Sequence, residues 1–146
     1  MIDLSDRVGQ ELGVGGWMVI EQDRVDAFAA ATDDQQWIHE AGDKADAGPF
    51  GGPIAHGFLT LSLLSPLTTE ILRPHTAGAR MAINYGLDRV RFITPVRVGS
   101  KIRARVKLAE AKPFDGGMQL KIESTIEIEG VERPAAVIES LVRLYG

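Results

Sequence analysis

The sequence predicts an α+β fold in which a long antiparallel sheet wraps around one central, buried helix. Three observations predict it. Residues 101–128 form two runs that alternate apolar and charged side chains with period two, joined by a turn. Residues 56–72 are apolar on most sides of a helix. Helical signals and glycine-rich loops fill residues 1–75, and strand signals fill 80–146, a segregation typical of α+β chains.

In chain order, residues 22–31 read as a helix. Val25, Phe28 and Ala29 recur at helical spacing, and Asp23 lies early, where negative charge suits a helix N-terminus. Residues 43–47 can form a second, short helical turn. The run G-P-F-G-G-P-I, Gly48 to Ile54, is too rich in turn formers for a regular element. From His56 to Leu72 the chain reads as a helix buried on nearly all sides, and Pro66 should kink it near the middle. Met81 to Ile93 is strand-like, with a break of phase at Gly86 read as a bulge.

In the alternating runs, Ile102, Ala104, Val106 and Leu108 face one way, and Lys101, Arg103, Arg105 and Lys107 the other. After a turn at Phe114 to Gly117, Leu120, Ile122, Ser124, Ile126 and Ile128 alternate with Gln119, Lys121, Glu123, Thr125 and Glu127. This is a hairpin with one wet face, on which basic and acidic residues can pair across strands. Gly130 marks a further turn, and Ala135 to Leu144 a last strand, partly apolar on both faces.

Length and composition limit the function classes. A chain of 146 residues fits one domain, residues 1–146, and can bury a full core. Its net charge of −4 and lack of a basic run argue against nucleic acid and anionic membranes. There is no cysteine, which excludes disulfides, thiolate nucleophiles and Cys-based zinc sites. The start M-I-D-L-S-D lacks the layout of a signal peptide, and the apolar run Phe58 to Leu64 is too short to span a bilayer. A cytoplasmic setting is the simplest expectation.

Two constellations bear chemistry. In Asp34-Gln35-Gln36-Trp37-Ile38-His39, a carboxylate and an imidazole form a natural acid/base pair. On one continuous helix the five-residue spacing would leave them about 140° apart. They can meet only if the helix ends near Asp34 and the chain turns. By spacing alone, a capping carboxylate and a surface histidine are the more frequent explanation. In Gly51-Gly52-Pro53-Ile54-Ala55-His56-Gly57-Phe58, a glycine-rich loop feeds the helix. The first helical N–H groups lack internal partners, and Gly57 would let a ligand carbonyl approach its amide. Packing glycines are the alternative, and His56 reads more readily as a structural histidine beside the helix start than as a ligand-facing base. His39, His56 and His75 show no metal-ligand spacing, and no metal is expected. Asn84, beside Tyr85 and Gly86, is a candidate pocket residue or part of a strand defect.

Together these residues resemble the MaoC-like dehydratase family, the hot-dog (R)-specific enoyl-CoA hydratases. The likeness runs through A-T-D-D-Q-Q-W-I-H, G-P-F-G-G-P-I-A-H-G-F and V-R-F-I-T-P-V-R-V-G-S. The resemblance implies a hot-dog fold, with Asp34 and His39 as catalytic residues and the Gly57 amide polarising a thioester carbonyl. It maps a helix serine onto Ser65. Many members read D-x-N-P-x-H, where this chain has Gln36 and Trp37. Gln36 keeps an amide that can touch water or substrate, and Trp37 would reshape the pocket. The implied reaction adds water reversibly to a trans-2-enoyl-CoA, or to the acyl-carrier thioester. No cofactor is implied, CoA being part of the substrate. The implied assembly is a homodimer.

Two rivals share the fold. A thioesterase would place a carboxylate on or near the central helix, where Glu70 is the only acid and lies far from Gly57. A non-catalytic acyl-binding subunit would tend to lose the Asp or the His, and both stand here.

Overall fold

The computed structural model describes residues 3–146. Met1 and Ile2, which open the M-I-D-L-S-D stretch, lie outside the described residues. The order of elements is β1 (Glu11–Val14), β2 (Met18–Val19), α1 (Gln22–Thr32), α2 (Asp43–Asp46), α3 (Gly57–Ser62), α4 (Leu64–Leu72), β3 (Met81–Phe92), β4 (Lys101–Phe114), β5 (Gly117–Ile128) and β6 (Ala136–Tyr145). The strands form one antiparallel sheet in the order β1-β4-β5-β6-β3, with β2 also pairing with β4.

The expected hairpin is present in the expected phase. β4 and β5 meet through Asp115-Gly116, and Gly116 has φ of 101°, a left-handed conformation that suits glycine in a tight hairpin turn. Ile102, Ala104, Val106 and Leu108 are fully buried, and their β5 counterparts Ile122, Ile126 and Ile128 nearly so. On the wet face Arg103 pairs with its register partner Glu127 at 2.9 Å. Arg105 reaches Glu11 at 2.7 Å and so ties β1 to the hairpin. Lys121 bonds Asp88 at 2.9 Å, and that hydrogen bond holds its ammonium above the usual lysine range.

The short strands β1 and β2 were not expected. They lie among glycines and hold four and two residues, too few to show a period. The phase break in β3 is a bulge at Tyr85, one residue before Gly86, and a second bulge falls at Asp88.

Pro66 acts as expected. The helical run splits into α3 and α4 at Leu63, because Pro66 cannot donate back to Ser62 and its ring crowds that carbonyl. Burial on all sides is corrected. Leu59, Thr60, Leu63, Leu67, Thr68 and Ile71 are buried against the sheet. Phe58 is 68% exposed, Ser62 and Ser65 are exposed, and Leu61 and Leu64 are half-covered. That open flank borders a cavity of about 770 Å³ between the helices and strands β3, β5 and β6. Among the described residues, no helix is long and apolar enough to cross a membrane.

Candidate active site

α1 ends at Thr32, and Asp33 adopts φ of 58° and ψ of 26°. It is the one described non-glycine residue with positive φ. The N–H groups of Asp33 and Asp34 both donate to the Ala29 carbonyl, a left-handed helix stop. The chain then leaves the helix axis, and Trp37–His39 forms a single 3-10 turn closed by His39 N–H donating to Gln36 O at 3.1 Å. This is the break that the Asp34–His39 spacing required.

The loop before α3 is held by backbone bonds. Ile54 donates to Ile38 at 2.9 Å, Ala55 to Val96 at 2.8 Å, and Val98 to Pro53 at 2.9 Å. The segment 93–100, which joins β3 to β4, thus holds the loop on both sides of Ile54, and Ile54 in turn holds the His39 turn. Gln22 adds a side-chain bond to the His39 carbonyl at 2.8 Å, linking the start of α1 to the same point.

Polar atoms of Asp34, His39 and His56 all lie within 4.8 Å of one another. Asp34 is about half exposed, and both histidines are buried. His39 Nδ1–H donates to the Ile54 carbonyl at 2.7 Å, so the neutral ring carries its lone pair on Nε2. His56 Nε2 donates to the Asp34 carbonyl at 3.1 Å and stands 4.0 Å from its carboxylate. The two imidazoles stack with centroids 3.6 Å apart and planes 22° from parallel. Phe28 packs on His56 with centroids 4.9 Å apart.

His56 was expected to play a structural part beside the helix start. The fold makes it a direct neighbour of both Asp34 and His39, which it holds through the Asp34 carbonyl and the stacked ring. Its spacing from them in the chain held no sign of this. A local signal exists only in its place one residue before the helix. The trio also has the composition of a metal site. One nitrogen of each ring, His39 Nδ1 and His56 Nε2, is however held by a backbone carbonyl.

Gly57 is the first residue of α3. Its N–H is one of the helix-start donors without an intrahelical partner. A Cβ on Gly57 would meet the Phe92 ring at 3.0–3.1 Å. Close packing with Phe92 is therefore a reason for the missing side chain, alongside any approach of a ligand.

Ser65 and Asn84 both line the 770 Å³ cavity, which begins at Leu61, one helical turn past Gly57. Asp34, His39 and Gly57 do not line it; they gather at the N-terminal end of α3. Gln36 is exposed and also lies outside the cavity. Trp37 packs on Gly48, with Lys44 4.9 Å over its ring, so it braces the α2 turn rather than shaping the cavity. Glu70 pairs with Arg73 at 2.9 Å on the exposed surface.

The family described as MaoC like domain matches residues 3–131. The chain belongs to the MaoC-like dehydratase family. It is 45% identical over 142 residues to 3-hydroxyacyl-thioester dehydratase Z of Mycobacterium tuberculosis, covering 97% of this chain and 93% of that protein. It is 47% identical over 138 residues to Nodulation protein N of Rhizobium leguminosarum bv. viciae, covering 92% of this chain and 84% of that protein. Among solved structures, the (R)-hydratase from A. caviae involved in PHA biosynthesis superposes with a TM-score of 0.74 at 27% identity, over 94% of this chain and 96% of that one. The expected hot-dog fold of this MaoC-like chain is thereby shown.

Proposed function

We propose that this MaoC-like protein is an (R)-specific enoyl-CoA hydratase, run in either direction as 3-hydroxyacyl thioester dehydratase. The observation that carries it is the convergence of Asp34 and His39 beside the start of α3, the helix that runs on into α4 along a cavity of acyl-chain size. A water held between Asp34 and His39 gives a proton to the pair as its oxygen bonds C3 of the trans-2-enoyl thioester. The C2–C3 π electrons move toward the thioester carbonyl, whose oxygen gains charge and accepts the Gly57 N–H. Such a backbone donor is worth about 3–4 kcal/mol in acyl-transfer enzymes. The enolate then collapses and C2 takes a proton from the pair, which completes the addition of one water. Ile54 fixes the His39 tautomer, and Nε2 is the atom available as base. Ser65 and Asn84 act as acyl-cavity residues, and Gln36 reaches substrate only outside the cavity. The addition is redox-neutral overall, so no redox cofactor enters the reading, no metal is part of it, and CoA arrives as part of the substrate. A homodimer in the cytoplasm completes the reading.

Purified protein with crotonyl-CoA tests it, by loss of enoyl absorbance and chiral analysis of the product. Asp34→Asn and His39→Ala should each lower turnover at least about 100-fold while remaining folded. Near-normal rates in both variants would sink the site. Thiol release without hydration would identify a thioesterase instead.

A further inference from the structure

β5 turns Met118, Leu120, Ile122, Ser124, Ile126 and Ile128 inward, and all are buried. Ser124 is the one polar side chain in that row. It is 1% exposed, and its hydroxyl has no hydrogen-bond partner among the described residues. A hydroxyl left unpaired in an apolar wall is costly, and alanine would fill the position without that cost. Ser124 also lines the 770 Å³ cavity, and its unpaired hydroxyl, itself shielded in this packing, would meet that space by rotation about the Cα–Cβ bond.

Ser140 and Thr68 are two of the seven further hydroxyl-bearing residues that line the same cavity. Ser140 sits diagonally across from Ser124 on β6, since Ile122 pairs with Ser140 and Ser124 with Ile138. Its contact with the Ile122 carbonyl is 3.5 Å, at the long limit of a hydrogen bond. Thr68, buried on α4, donates to the Leu64 carbonyl at 2.6 Å and so keeps only acceptor capacity. The wall thus offers a free donor and acceptor at Ser124 and an acceptor at Thr68. An alkyl chain uses neither. An alcohol on the chain can accept from Ser124 or donate to Thr68.

We propose that Ser124, with Ser140 and Thr68, forms a polar subsite in the acyl cavity that selects thioesters carrying a hydroxyl far from the reacting carbons. This rests on the hydratase reading above for the direction in which the chain lies. Thr68 is eleven positions past Gly57, roughly 16 Å along a helix, which puts the selected hydroxyl toward the far end of a medium-length chain.

The test uses calorimetric binding of trans-2-enoyl-CoAs from hexenoyl to dodecenoyl, each with and without a terminal hydroxyl. At one chain length the hydroxylated ligand should bind about tenfold or more tightly than the plain one, because a plain chain leaves the wall hydroxyls unpaired. Ser124→Ala should bring that preference near parity while its melting temperature holds, since it loses no protein partner. Ser140→Ala serves as the second variant if the first fails to fold. Equal binding at every length overturns the subsite, and an ordered water then satisfies Ser124. A preference that survives both substitutions also overturns it. Crotonyl-CoA turnover by the unaltered protein, whose substrate chain ends short of β5, reports the hydratase reading separately.

Discussion

Asp34 reaches His39 because Asp33 takes the left-handed conformation that ends α1. The carboxylate is exposed, and the rest of the pair is rigid. His39 is locked by Ile54, and His56 stacks beneath it while bonding the Asp34 carbonyl. His56→Leu keeps most of the volume but loses the donor. We expect kcat to fall by up to about 100-fold with KM little changed, as a small misplacement of Asp34 would produce. His56→Gln, which keeps a donor, should recover part of the loss. Unchanged kcat in a folded His56→Leu protein would remove His56 from any part in placing Asp34.

At the scale of elements, the β4–β5 hairpin carries two faces of unequal worth. Ile126 is fully buried, whereas Glu127 beside it pairs with Arg103 at the surface. Ile126→Ala should cost about 2–5 kcal/mol, from lost transfer energy and the cavity left behind. Glu127→Gln should cost under about 1 kcal/mol, and less at high salt, because solvent screens a partly exposed pair. Urea denaturation of both variants checks the contrast. Comparable losses would mean that the ion pairs, not the apolar row, hold the hairpin. The other decisive element is the segment 93–100, whose bonds to Pro53 and Ala55 carry the loop to the start of α3. It couples the sheet to the candidate site without itself supplying a reacting group.

For the molecule as a whole, β3 is the anomaly. It is an edge strand of twelve residues. Met81, Ile83, Tyr85, Leu87 and Phe92 on it are each 46–53% exposed. A long apolar edge invites pairing with another chain. A second copy joined there would cover these side chains and the open side of the cavity, whose lining includes Asn84, Tyr85 and Leu87. Light scattering after size exclusion should give twice the monomer mass. Ile83→Lys should shift it toward monomer and weaken activity together. A protein that is monomeric at assay concentration and fully active would refute the dimer.

Features that depend on period and on local backbone chemistry were legible along the chain. The phase of Ile102 to Leu108 against Leu120 to Ile128 set which face of the hairpin is buried. Asp115-Gly116 set its turn, and Pro66 set the split in the helix. The D-x4-H spacing even stated its own condition, a helix stop near Asp34. Tertiary structure decided the rest, because it depends on contacts between segments far apart in the chain. β1 and β2 exist only as short partners of β4. The open flank of α3 and α4 follows from where β3 and β6 lie, not from helical periodicity. His56 joins Asp34 and His39 because its loop is bonded to Ile38 through Ile54 and to residues 93–100 through Pro53 and Ala55. Ser124 looked like one more inward position of a regular strand. Only the packed cavity left its hydroxyl without a partner.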